Sequence, residues 1–220
     1  MLTQIYEVST EDEARAISAL GIDHIGVLVG DGQFPRELPL ADATRVAQAI
    51  APPAKFCALF LTADIDMVAA WAPKLRPAIV HFGASAELLA PADVAELRTR
   101  LLATKIMRSV PVIDEGSIAI AQSYDGIVDF ILLDSHRAND NQIGALGVTH
   151  DWRISRRIVE LVRTPVILAG GLGPENVGDA IRAVGPFGVD SKTRTDRDGS
   201  HAKDIDKVRC FRDAALSSKS

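Results

Sequence analysis

Gly170, Gly171 and Gly173 stand between an apolar run, Val166 to Leu168, and Pro174. Apolar strand, glycine corner and helix start together form an anion cradle. The first amides of a helix lack internal partners, its dipole is positive at that end, and glycine lets a phosphate approach the backbone. Pro174 suits a first helical position, where its absent N–H costs nothing. The same residues also read as a tight turn that needs glycine for its backbone angles. Further reactive groups lie at the ends of other apolar runs: His81; then Asp134, Ser135 and His136; then Asp190. Brought to one mouth, they would make a two-histidine, two-carboxylate metal set. No tight spacing motif joins them, so no metal is assigned. Lys105 and Lys192 are the lysines placed for a Schiff base, but nothing beside them marks a depressed pKa.

Such scattered groups act together only if the fold gathers the ends of the runs. Eight runs read as strands: Leu2 to Tyr6, Asp23 to Val29, Lys55 to Leu61, Pro77 to Phe82, Lys105 to Val110, Ile127 to Leu133, Val166 to Leu168 and Phe187 to Asp190. Helical patterns follow each. The first is capped by Thr10, with Glu13 three residues on, and ends at Gly21. The others are Leu40 to Ile50, Thr62 to Trp71 capped by Thr62, Pro91 to Leu102, Ser117 to Ser123, Trp152 to Val162, Pro174 to Val184, and about Lys203 to Leu216. Arg153, Arg156, Arg157 and Arg163 read as the solvated face of the sixth helix.

Near-continuous apolar strands alternating with helices indicate an α/β protein with parallel strands buried on both faces. Eight units predict a (β/α)8 TIM barrel of a single domain, residues 1–220. A doubly wound sheet is the competitor. It is disfavoured because no GxGxxG follows the first strand and the phosphate signal comes late, after the seventh, where barrels place it.

Composition narrows the function. Hydrophobic residues make up 47% and charged residues 24%, as in a folded protein with a sizeable core. A net charge of −5 argues against a nucleic-acid binder, and no apolar run is long enough for a membrane span. Cys57 and Cys210 have no CxxC spacing and read as small buried hydrophobes. A cytoplasmic location is the expectation.

Six stretches, in register, resemble phosphoribosylanthranilate isomerase, a metal- and cofactor-free (β/α)8 enzyme family of tryptophan biosynthesis. They are FPRE around Arg36, IVHFG (Ile79 to Gly83), VDFILLDS (Val128 to Ser135), GALGVTHDW (Gly144 to Trp152), TPVILAGGLGPENVGDAI, and FGVD (Phe187 to Asp190) with Lys203–Asp204. The resemblance implies an Amadori-type isomerisation of a phosphorylated amino sugar. In it an acid helps open the ribose ring at its oxygen and a base removes the C2 proton. Asp134 is implied as the acid, which suits a carboxyl group whose charged form is disfavoured at the rim of an apolar strand. Arg36 is implied to hold the anthranilate carboxylate. His81, Gly170, Gly171, Gly173, Asp190, Lys192, Thr193 and Arg194 are the other candidate substrate- and phosphate-binding residues.

The chain departs from the family at the base. Where the family has Lys-Ile-Cys-Gly, with cysteine as the base, this chain has Gln4, Ile5, Tyr6 and Glu7. Tyr6 serves as base only if cations depress its pKa. Glu7 serves only if the chain has already left the strand, since strand side chains alternate. The glycine of the family's last phosphate loop is Arg194 here, which trades backbone access for a cation. A small phosphorylated sugar is the expected partner, with the protein a monomer or homodimer. An aldolase or epimerase of the same fold, or a non-catalytic phosphate-sugar binder, are the other readings.

Overall fold

Eight strands, all parallel, pair in chain order and close on themselves in this computed structural model, which describes residues 1–135 and 149–218. They are β1 (Leu2–Ile5), β2 (His24–Leu28), β3 (Lys55–Phe60), β4 (Ile79–Phe82), β5 (Lys105–Pro111), β6 (Phe130–Asp134), β7 (Val166–Leu168) and β8 (Gly188–Ser191). The seam joins β8 to β1, with Leu2 opposite Gly188 and Ile5 opposite Ser191. Around them run α1 (Glu11–Ala19), α2 (Leu40–Ala49), α3 (Ile65–Leu75), α4 (Pro91–Arg100), α5 (Gly116–Ser123), α6 (Trp152–Leu161), α7 (Val177–Val184) and α8 (Ile205–Ser217), with a 3-10 turn at Thr193–Thr195. The (β/α)8 barrel is as expected.

The two-residue period of a strand explains why these runs are apolar throughout. Outward residues such as Ile25, Val27, Ala58, Val80 and Ile106 pack on the helices in one large core. Inward residues Cys57, Ile79, Met107, Phe130, Leu132 and Ile167 fill the barrel itself, with the Tyr6 ring in the same cluster. Thr10 caps α1 by accepting the Glu13 N–H, as read from the sequence. The arginines of α6 are exposed, and Arg156 pairs with Glu160 on the same face.

Four details differ from the sequence reading. β6 begins at Phe130, not Ile127, because Ile127 and Val128 bond back to Tyr124 O in the turn after α5. Asp134 therefore ends the strand in the same inward row as Phe130 and Leu132. α3 is capped by Asp64 and runs through Pro73 to Leu75, while Thr62 instead accepts the Asp64 N–H. α7 starts at Val177, not Pro174. Pro174 lies in a turn that the Asn176 side chain closes, accepting the Gly173 N–H and donating to Gly171 O. Cys57 is buried as expected, but Cys210 is exposed on α8. Among the described residues no helix is long and apolar enough to cross a membrane.

Candidate active site

The C-terminal ends of the strands open onto a cleft of about 550 Å³ and an adjoining one of about 260 Å³. The first is lined by Tyr6, Glu7, Arg36, His81 and Ser109, with Leu28, Leu59, Leu61 and Leu132 as its apolar wall. The second is lined by Gly170, Gly171, Leu172, Ser191, Thr193 and Arg194. Asp134, Asp190 and Lys192 border both. Residues nearly the whole chain apart in sequence thus share one mouth, because parallel strands all present the same end.

The glycine corner is real, though its parts differ in use. Gly170 (φ 82°) and Gly171 (φ 62°) are both left-handed, which glycine adopts without strain. A Cβ on Gly170 would lie 2.7 Å from His150 Nδ1 and 3.0 Å from the Ser135 amide. Gly173 does not line the cleft. Its missing side chain instead makes room for Arg194, whose Cβ would be 2.8 Å from a Cβ on Gly173. Arg194 is half-exposed and pairs with Glu175 at 3.2 Å.

Tyr6 lies flat against Gly26. A Cβ there would fall 2.1 Å from the ring, so glycine at that place in β2 is what admits the tyrosine. The Tyr6 hydroxyl sits 2.6 Å from His81 Nδ1, and His81 Nε2 sits 2.7 Å from Ser109 Oγ. Burial first, then the charges of Cys57 and Asp190, push the Tyr6 pKa well above the ordinary phenol value. Depression by cations, the condition under which Tyr6 serves as base, does not occur. Burial also lowers His81 to about 3, so the imidazole is neutral, with one nitrogen donating and the other accepting.

Glu7 has left the strand. Its φ is 55°, so its side chain turns into the mouth instead of alternating outward. Arg36, itself at φ 69°, donates from Nε to Glu7 Oε2 at 2.7 Å and from Nη2 to Oε1 at 3.3 Å. Lys192 Nζ lies 3.5 Å from Glu7 Oε2 and 3.2 Å from Asp196 Oδ2. Burial opposes ionisation of Glu7, but the hydrogen bond from Arg36 and the charges of Lys192, Arg36 and Lys203 outweigh it. Its pKa falls below the usual glutamate value.

Asp134 behaves in the opposite way. Burial raises its pKa to about 7, against the weaker pull of hydrogen bonds from Ser135. Asp190 is buried, with Oδ1 lacking a hydrogen-bond partner among the described residues. Burial, then the nearby Asp134 charge, push Asp190 well above the ordinary carboxyl value. Near neutrality, then, the mouth sets Asp134, about half protonated, against Glu7 as a carboxylate. That is the separation of roles acid–base chemistry requires.

Behind Lys192 stands Lys203, which the sequence matched to a family motif but did not place in the site. Lys203 is fully buried and donates to Asp196 Oδ1 at 2.5 Å and to Lys192 O at 3.3 Å. Ser109 and Gly26 were missed, although a lone glycine inside an apolar strand signals close approach of another group. His136 and the glycine-loop positions Gly144, Ala145, Leu146 and Gly147 lie outside the described residues. Among the described residues no three His, Cys, Asp or Glu side chains are grouped to hold a metal ion, and both His81 nitrogens are already engaged.

Comparison with known proteins gives a consistent result. The family model described as N-(5'phosphoribosyl)anthranilate (PRA) isomerase matches residues 26–214. The N-(5'-phosphoribosyl)anthranilate isomerase of Methanocella arvoryzae is 34% identical over 213 residues, which span 94% of this chain and 94% of that one. Monomers of the dimeric enzyme from Thermotoga maritima share the fold, with a TM-score of 0.80 at 22% identity over 99% of this chain and 100% of that chain. A phosphoribosylanthranilate isomerase in complex with reduced 1-(o-carboxyphenylamino)-1-deoxyribulose 5-phosphate superposes with a TM-score of 0.78, at 23% identity over 99% of this chain and 100% of that chain.

Proposed function

Because this chain belongs to the phosphoribosylanthranilate isomerase family, we propose that it converts an N-(5-phosphoribosyl) amine into the corresponding 1-amino-1-deoxyribulose 5-phosphate, with Asp134 as acid and Glu7 as base. The observation that supports the reading most is that Asp134 borders both clefts, between the glycine corner and the wall that carries Glu7. The phosphate lies against Gly170, Gly171 and the Thr193–Arg194 turn, within reach of the Lys192 charge. That places the sugar across Asp134.

Asp134 gives its proton to the ring oxygen as the C1–O bond breaks, and the nitrogen lone pair closes a C1=N iminium. Glu7 then takes the C2 proton. The C2–H electron pair forms C1=C2, and the iminium nitrogen regains its lone pair. Transfer of the C2 hydroxyl proton to the solvent side as C1 is protonated leaves the C2 ketone. Atoms and electrons balance as an isomerisation, with no co-reactant. Arg36 and Lys192 keep Glu7 ionised, and Tyr6 serves as a neutral hydrogen-bonding wall and not as a phenolate.

The test gives purified protein two N-(5-phosphoribosyl)arylamines, one with and one without an ortho carboxylate, and measures aminodeoxyketose formation. Turnover of at least one, absent from Asp134→Ala, is expected. No turnover of either above that control overturns the proposal.

A further inference from the structure

The last step of the isomerisation takes a proton from the C2 hydroxyl and puts one on C1. Three side chains of the larger cleft are linked in a way that suits this exchange. Tyr6, His81 and Ser109 all line the cleft, and each is at most 4% exposed. The Tyr6 hydroxyl is 2.6 Å from His81 Nδ1, and His81 Nε2 is 2.7 Å from Ser109 Oγ. The chain of contacts crosses the barrel, because β1, which Tyr6 follows, and β5, which carries Ser109, stand four places apart in the ring of strands. Tyr6 is followed by Glu7, and Ser109 pairs with Leu132, two residues before Asp134. One end therefore lies beside the base in sequence and the other neighbours the strand of the acid.

A neutral imidazole has one N–H and one lone pair, which gives such a chain a direction. With Ser109 donating to Nε2, Nδ1–H donates to the Tyr6 oxygen and the phenol proton is the one left over. A proton entering at Ser109 and another leaving at Tyr6 reverse the direction without creating a charge. Burial keeps both intermediates uncharged, lowering His81 to about 3 and raising Tyr6 well above the ordinary phenol value.

From this geometry we infer that Tyr6, His81 and Ser109 form a proton relay for the step that turns the C1=C2 enol into the C2 ketone. The C2 hydroxyl gives its proton to Ser109 Oγ, and the O–H electron pair becomes the second bond of C2=O. The Ser109 proton moves to Nε2, the Nδ1 proton to the Tyr6 oxygen, and the Tyr6 proton to C1, where the C1=C2 pair takes it. Water meeting both ends after product release resets the chain. The inference rests on the isomerase reading above and gives its last proton transfer a path through the protein. Tyr6 and Ser109 touch the reacting atoms, and His81 acts through them.

Isotope effects test this on whichever of the two N-(5-phosphoribosyl)arylamines the protein converts. Ser109→Ala should lower kcat/KM by about three- to tenfold, because water can stand in for the lost hydroxyl. Its C2-deuterium isotope effect should fall toward one while its solvent isotope effect grows, since ketone formation then limits the rate in place of C2–H cleavage. Tyr6→Phe, which cuts the other end, should move both isotope effects in the same directions, and Ser109→Thr should restore them. A merely structural loss lowers the rate and leaves both effects as in the wild type. If circular dichroism shows one of the two cut variants unfolded, the other decides alone. Unchanged isotope effects, or a larger C2-deuterium effect, overturn the inference and leave the isomerase reading standing. No conversion of either arylamine by the wild type overturns the isomerase reading together with it.

Discussion

Asp134 and Glu7 are two carboxyl groups in one cleft whose surroundings push their pKa values apart, up to about 7 for the first and below the glutamate range for the second. The acid must be protonated, so the Asp134-dependent rate should be level through weakly acidic pH and fall above about 7. Asp134→Asn should lower kcat by about 10²–10⁴ and abolish that alkaline limb, read from kcat against pH. The same shift bears on stability. A carboxyl group with a raised folded-state pKa favours the fold in its neutral form, so stability is lost as pH rises from the unfolded value through about 7. Asp134→Asn should therefore raise Tm relative to wild type at pH about 8, with the gap closing as pH falls toward about 4. An equal Tm at both ends would contradict the assignment. Tyr6→Phe separates the wall from the base. Loss of the hydroxyl strips a buried partner from His81 Nδ1 and should cost about 1–2 kcal/mol of stability. Its kcat should fall by less than about tenfold, whereas a loss of about 10³ would make Tyr6 the base instead.

At the scale of elements, the mouth is held by the junction of β1, β8 and the start of α8. Lys203, just before the Asp204 cap of α8, donates into Asp196, which lies just beyond the 3-10 turn after β8. Asp196 in turn pairs with Lys192, and Lys192 with Glu7. The Glu13 side chain on α1 accepts the Lys203 N–H at 2.7 Å and ties the same junction to the first helix. Lys203→Met leaves Asp196 buried with Lys192 as its remaining ion-pair partner among the described residues. Breaking such a pair should cost about 3 kcal/mol, a Tm decrease of about 6–12 °C by calorimetry. A change within a degree or so would show that the chain of charges is not coupled to folding. The short β7 and late α7 follow the same logic. The Asn176 side chain closes the turn around Gly171 and Gly173, so the glycine corner is shaped before the helix begins.

On the scale of the whole molecule, the glycine corner lies where the chain's last two strand–helix units close the barrel onto its first strand. Ribose 5-phosphate at about 100 times its Kd should add about 2.7 kcal/mol and raise Tm by about 5–10 °C. In Gly170→Ala, whose Cβ would collide with His150, that shift should vanish. The eight-unit barrel, the glycine corner and Asp134 at a strand end were all legible in the sequence, because each depends on local pattern: apolar runs, helix caps, glycine between strand and helix. What Tyr6 and Glu7 do was not legible. Two neighbours in sequence took opposite protonation states through contacts with Gly26, His81, Arg36 and Lys192, which are distant in the chain. Local sequence determined the elements and the end of the barrel at which the clefts open. Only closure of the barrel decided the surroundings of Asp134, Glu7 and Tyr6, because burial and charge pairing are set by long-range contacts.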